Sequence, residues 1–285
     1  MGEETVRREP LRTEPAAAYR STFAPSAPEP VLGEPLPAGW EGICFPFDAA
    51  FADLRPDGSP GADGTVPDPG LPRRMYAGED TRFLRPLRYG DTVEQRTTPG
   101  AVTRKRGRAG ELVFADIERA YLVDGAVAVT STWHDVFLPA SDPAAAPADV
   151  PAGEAERWDW SRRATLDSRQ LFRYSALTFN THRVHYDRAW AQDVEGLPDL
   201  LVHGPLMRVL LLDFVTRSLP GRTIREFSMR SVSPAFVDRP VTLVGREDAD
   251  GVRVRVLDAA HRPLARGLAR TQAPSGRRPD LADTP

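Results

Sequence analysis

The run of residues 206–219, Leu-Met-Arg-Val-Leu-Leu-Leu-Asp-Phe-Val-Thr-Arg-Ser-Leu, restricts the folds open to this chain more than any other stretch. Pro205 stands just ahead of it, where the first turn of a helix tolerates proline, and Pro220-Gly221 stops it. Only Arg208, Asp213 and Arg217 are charged within it. The predicted helix is therefore apolar on most sides and has to be wrapped by other structure.

The material around it reads as antiparallel strands. Behind the helix lie strand-like runs at 224–232, 241–246, 251–257 and 263–271, and Val252-Arg-Val-Arg-Val256 alternates strictly, as a strand with one wet face does. Ahead of it lie runs at 81–84, 92–97, 101–104, 112–121 and 126–137, with turns at Gly90-Asp91, Gly107, Gly110 and Asp124-Gly125. Arg85-Pro-Leu-Arg-Tyr-Gly-Asp91 in the first half is echoed by Ser233-Pro-Ala-Phe-Val-Asp238 in the second. A duplicated module is the natural reading, with the long apolar helix kept only in the second copy.

The expected organisation is then a poorly ordered arm at 1–35, with one short helix near residues 15–23, and an N-terminal domain at 36–140. A Pro/Ala linker at 141–157, a C-terminal domain at 158–273 and a disordered tail at 274–285 follow. Residues 67–78 carry too many Pro and Gly for a long helix.

Composition closes off several functions. A net charge of -3 without a basic block argues against nucleic acid, and the single Cys44 rules out an intrachain disulfide and cysteine-rich zinc sites. No apolar run approaches the roughly 20 residues that span a bilayer, and the acidic start lacks signal-peptide order, so a soluble cytoplasmic protein is expected.

The chemistry-bearing residues concentrate in Tyr174-Ser-Ala-Leu-Thr-Phe-Asn-Thr-His-Arg-Val-His-Tyr-Asp187, just ahead of the helix that begins at His203-Gly204-Pro205. An imidazole exchanges protons near neutral pH, which makes His185 the candidate base. Asn180 does not titrate, but its amide oxygen and NH₂ can orient a water or hydroxyl. The Gly204 N–H, freed at a helix start and unobstructed by a side chain, is the candidate oxyanion donor. His182 either orients His185 or caps a turn, and His203 either binds substrate or packs. Arg183 and Arg188 are candidate phosphate contacts, set against the ordinary surface role of arginines. His134 and His261, in strand-like contexts, are read as structural.

These residues, with the strand meander behind them, resemble the MaoC-like hydratases and dehydratases. The first half resembles the N-terminal domain that precedes them in the mesaconyl-CoA hydratase branch and in fatty-acid-synthase-type dehydratases. The likeness runs from about Trp40 to Thr271. It implies an α+β double hot-dog, two antiparallel sheets each curved around a helix, with the N-terminal helix reduced to make room for an acyl chain, a picture that the Pro/Gly-broken residues 67–78 fit. The family's catalytic His falls on His185, but its catalytic Asp falls on Asn180, and its spacer Asn and Pro on His182 and Arg183. The family's His-Gly falls on His203-Gly204, where the backbone N–H meets the thioester carbonyl.

The implied activity is hydration of an enoyl thioester or dehydration of a 3-hydroxyacyl thioester, carried on coenzyme A or acyl carrier protein, with no metal or redox cofactor. A homodimer of double hot-dogs is a further expectation. Cyclisation or conjugate addition on a biosynthetic intermediate, and a non-catalytic acyl-binding role, are the alternatives.

Overall fold

The computed structural model describes residues 3–61, 69–107, 110–140 and 156–273. The predicted linker at 141–157 lies almost wholly outside the described residues, and the tail at 274–285 lies wholly outside them. The strands are β1 (Thr5–Pro10), β2 (Arg73–Phe83), β3 (Thr92–Gly107), β4 (Gly110–Val123), β5 (Ala126–Leu138), β6 (Trp160–Ala164), β7 (Thr223–Ser231), β8 (Val241–Asp248), β9 (Gly251–Leu257) and β10 (Pro263–Gln272). The helices are α1 (Thr13–Phe23), α2 (Glu41–Cys44), α3 (Ser168–Thr178) and α4 (Gly204–Ser218).

All ten strands belong to one antiparallel sheet in the order β1-β3-β4-β5-β2-β7-β10-β9-β8-β6. The halves meet edge to edge where β2 pairs with β7, with Gly78 opposite Arg230 and Arg82 opposite Glu226. This is the double hot-dog. The two echoed segments occupy matching positions: Arg88 bridges Pro35 in the first half, and Phe236 bridges Leu201 in the second.

The apolar helix is wrapped as its composition demands. Every residue from Leu206 to Val215 in α4 is buried, and the inward positions of β7 to β10 (Phe227, Leu243, Val254, Ala269) close around it. Its two buried charges face the first half. Asp213 accepts from Trp40 Nε1 at 3.0 Å and from the Tyr19 hydroxyl at 3.3 Å. Arg208 donates to Thr81 Oγ1 at 2.6 Å and to Glu41 at 3.1 Å, and lies 3.4 Å from Glu79.

The sequence expectations need three corrections. Within the expected arm, residues 3–35 are structured: β1 extends the first half-sheet by pairing with β3, and the short helix expected near 15–23 is α1, which buries Ala16 and Tyr19. Tyr19 packs edge-on to Trp40, with ring centroids 4.7 Å apart, and Phe23 meets Tyr174. Alanines supply much of the buried face, so its periodicity is weak on a hydrophobicity reading.

Second, residues 73–78 form the start of β2, which absorbs Gly78 at a register shift against β5. The reduced helix is instead the single turn α2. Third, the runs at 92–97 and 101–104 form one strand, with a register shift between Pro99 and Val102. Among the described residues no helix is long and apolar enough to cross a membrane.

Candidate active site

Because α2 is one turn long, the first half leaves unfilled the space that a full helix would occupy. The result is a cavity of about 670 Å³ between the two halves. Asn180, His182, His185 and Gly204 line it from the second half, and Tyr76, Trp133, Asp135 and Arg74 from the first. Glu41, Glu79 and Arg208 make part of its wall polar.

Local structure places each functional group. A capping box starts α3: Asp167 accepts from the Gln170 N–H at 3.0 Å, and the Gln170 side chain accepts from the Asp167 N–H at 3.1 Å. The helix ends at Phe179 in the left-handed region (φ 51°), unusual for a bulky residue, and the Asn180 N–H closes the turn on Ser175 O at 2.8 Å. This sharp exit brings Asn180 to the cavity. Its Oδ1 accepts the His182 backbone N–H at 3.0 Å. The carbonyl end of the amide is thus occupied, and the NH₂ end is the one left to meet a ligand.

His185 closes a 3₁₀ turn, Arg183–His185. Its Nδ1–H donates to Leu201 O at 2.7 Å, which leaves the lone pair on Nε2. His203 stacks on it with centroids 3.7 Å apart and planes 19° apart, and His203 Nε2 pairs with Ser175 Oγ at 2.8 Å. His203 therefore packs against the His185 ring and does not line the cavity. His182 stands edge-on to His185, its ring centroid 5.4 Å away.

Burial holds all three imidazoles neutral. It lowers His185 to about 3, assisted by the neighbouring His182 and opposed by the bond to Leu201. It lowers His182 to about 3 as well, with Arg74, Arg55 and Arg73 adding to the effect, and it pushes His203 well below the ordinary histidine range.

Gly204 is the first residue of α4, so its N–H has no partner within the helix. A Cβ at this position would lie 2.3 Å from Tyr76 Cδ1, so the first half presses directly on the helix start. Tyr76 is held in turn by Trp133, edge-on at 4.5 Å.

Arg183 pairs with Asp187 at 2.7 Å and lies over the Trp190 ring at 3.9 Å, and Arg188 pairs with Asp199 at 2.8 Å. Both arginines have local partners, and neither lines the cavity. After Asp187 the chain forms a π-turn, Trp190–Val194, and Asp187 accepts the Trp190 N–H at 3.1 Å.

Sequence reading missed the first-half contributors: Tyr76, Asp57, and the Arg74–Asp135 pair at 2.7 Å. They stand among Pro and Gly or within strands, and nothing local marks a contact made across the halves. Ligand atoms of Asp57, His182 and Glu195 all lie within 4.8 Å of one another. That donor set does not suit a metal ion, because Arg73 already holds Glu195 at 2.6 Å and Arg55 lies 3.9 Å from Asp57.

Comparison with known proteins identifies the family. The family described as Hydroxyacyl-thioester dehydratase type 2 matches residues 39–237, which include every cavity residue discussed above. The chain belongs to this family. Membership places the chain among the hydro-lyases, the hydratases and dehydratases of hydroxyacyl thioesters.

Mesaconyl-C(4)-CoA hydratase of Chloroflexus aurantiacus is 37% identical over 240 residues, which is 83% of this chain and 84% of that protein. Among solved structures, HtdX of Mycobacterium tuberculosis superposes with a TM-score of 0.67 at 16% identity, covering 94% of this chain and 98% of that one. Another M. tuberculosis protein, described as a double hotdog fold, superposes at 0.55 with 17% identity over 95% of this chain and 96% of that one. At such identities the structural likenesses concern the fold alone.

Proposed function

We propose that the protein adds water across the double bond of an enoyl thioester, and runs the reverse elimination on the 3-hydroxyacyl thioester, with His185 as the proton carrier. The observation that carries the reading is the state of His185. It is buried, neutral and fixed by Leu201 O so that Nε2 alone can accept a proton, and it lines the same cavity as Asn180 and the start of α4.

In the hydration direction the thioester carbonyl oxygen takes the Gly204 N–H, where the helix dipole favours negative charge. Water attacks the β-carbon while Nε2 of His185 removes one of its protons. The electron pair of the double bond moves to the carbonyl oxygen as an enolate, and the imidazolium then returns the proton to the α-carbon. The negative enolate raises the affinity of His185 for its proton at the moment it is needed, so a base held neutral at rest still works. Asn180 donates its NH₂ to the water oxygen. The acyl chain extends into the cavity toward α2, and a coenzyme A or carrier-bound phosphopantetheine holds the thioester. The chemistry as written needs no metal or redox cofactor.

The test is turnover of a panel of enoyl-CoA and 3-hydroxyacyl-CoA thioesters by the wild type and by His185→Gln. Wild-type hydration with loss in the variant is expected. Full activity in His185→Gln would contradict the assignment.

A further inference from the structure

One contact is left unexplained by the roles above. His182 Nε2 and Asp57 Oδ2 face each other at 3.8 Å, both atoms are buried, and neither has a hydrogen-bond partner among the described residues. Unpaired buried polar groups are costly and call for a reason. The arrangement around them is well anchored. Asp57 Oδ1 accepts from the Ser59 N–H at 2.8 Å and from its hydroxyl at 2.7 Å, which leaves Oδ2 for the histidine.

The Asp57 loop is clamped to both residues that flank His182. The Arg183 N–H donates to Asp57 O at 2.8 Å, and the Thr181 hydroxyl donates to Gly58 O at 2.7 Å. Gly58 sits at φ +80°, and a Cβ there would lie 1.9 Å from Thr181 O, so the contact requires glycine. The first half has thus been fitted against the catalytic turn to present one carboxylate oxygen to one imidazole nitrogen. Glu195, Arg55, Arg73 and Arg74 surround the pair, and the His185 ring lies edge-on to that of His182 with centroids 5.4 Å apart.

We propose that Asp57 is a positioning residue that fixes the tautomer of His182. A carboxylate oxygen can only accept, so facing it favours a proton on Nε2 and a lone pair on Nδ1. His182 lines the cavity, and with Nε2 turned to Asp57 its Nδ1 is the nitrogen available there. That lone pair holds the hydrogen of the reacting water that is not transferred. In hydration, water then gives one hydrogen bond to His182 Nδ1, gives its mobile proton to His185 Nε2 and receives one bond from the Asn180 amide, and its remaining lone pair attacks the β-carbon. In the reverse direction the β-hydroxyl keeps its hydrogen on His182 and leaves as water after taking the proton from His185. The gap of 3.8 Å closes to a hydrogen bond when substrate fills the cavity, as catalytic contacts commonly do.

The inference rests on the role proposed for His185, and the experiment separates the two. Asp57→Asn keeps the Oδ1 acceptor for Ser59 but turns an amide NH₂ toward Nε2, which reverses the favoured tautomer. Expected for this variant are an unchanged melting temperature, KM within about twofold and kcat lower by about tenfold or more. Nitrogen-15 NMR of the imidazoles should show His182 protonated on Nε2 in the wild type and on Nδ1 in Asp57→Asn. In a His182→Gln background, Asp57→Asn should have no further effect on kcat. A wild-type His182 protonated on Nδ1, an unchanged kcat in Asp57→Asn, or additive losses in the double variant would each overturn the proposal while leaving His185 as the base. Full activity in His185→Gln would instead overturn the reading on which it rests.

Discussion

His185 combines a lone pair on one nitrogen with a carbonyl acceptor on the other, and burial sets its titration apart from that of an ordinary histidine. Because the shift is downward, the imidazole stays in its accepting form as pH falls through the usual histidine range. The profile of kcat/KM, which reports the free enzyme, should therefore stay nearly flat between pH 7.5 and 5.5. A base titrating near 6.5 would lose about nine-tenths of its accepting form by pH 5.5. In the proposed reaction Asn180 contributes one donor, since its oxygen is held by the His182 N–H. Asn180→Ala should lower kcat by about 10²-fold, the usual scale for one donor aimed at a reacting oxygen. An effect confined to KM would show that the amide binds substrate without serving the transition state. The residue that could not be foreseen is Asp57, which stands in the Gly/Pro loop Asp57-Gly-Ser-Pro and becomes meaningful only when the halves come together.

Among the elements, α4 was the most legible, because an apolar helix bounded by proline and Pro-Gly has few alternatives. Its start, its stop and its wrapped environment all follow from composition. What composition left open was where Arg208 and Asp213 go, since charges on a buried helix must find partners that sequence distance conceals. They bind Glu41, 167 residues away, and Trp40, 173 residues away. The contact through Asp213 also explains why α1 is ordered: Tyr19 covers Trp40, and both donate to this carboxylate. Tyr19→Ala removes a fully buried aromatic ring and one of those donors, and should destabilise the protein by about 3–5 kcal/mol in denaturant unfolding. A cost below about 1 kcal/mol would mean that α1 adds little to the fold. The start of α4 is equally constrained. Gly204→Ala should reduce kcat together with stability, because neither Tyr76 nor the helix can move without disturbing the N–H proposed as oxyanion donor.

For the molecule as a whole, sequence periodicity was sufficient for eight of the ten strands, and it missed β1, which lay in the expected arm, and β6, which no predicted run covered. It was not sufficient for the seam, because β2 begins in a Pro/Gly-rich stretch and its pairing with β7 spans about half the chain. That seam carries an ionic cluster on strands from both halves. His134 Nδ1 pairs with Asp116 at 2.7 Å and Nε2 with Asp80 at 2.9 Å, while Arg230 of β7 reaches Asp80 at 2.6 Å. The hydrogen bond to Asp80 raises the His134 pKa, with Asp116 adding to it and burial opposing it. A raised imidazole contributes stability that is fully present below the unfolded value near 6.5 and is lost as pH rises through the folded value. The melting-temperature gap between wild type and His134→Gln should thus be widest at and below about pH 6 and should narrow as pH rises above 7. A gap that widens with pH would contradict the charge assignment.

The account as a whole depends on a cavity shared by the two halves with a single proton carrier in the second. Its most direct test is single-turnover hydration of an enoyl-CoA substrate by His185→Gln, compared with the wild type, at matched fold and thermal stability. The expected result is a chemical step slower by about 10²–10⁴-fold with substrate binding largely preserved. Hydration at the wild-type rate in that variant would contradict it.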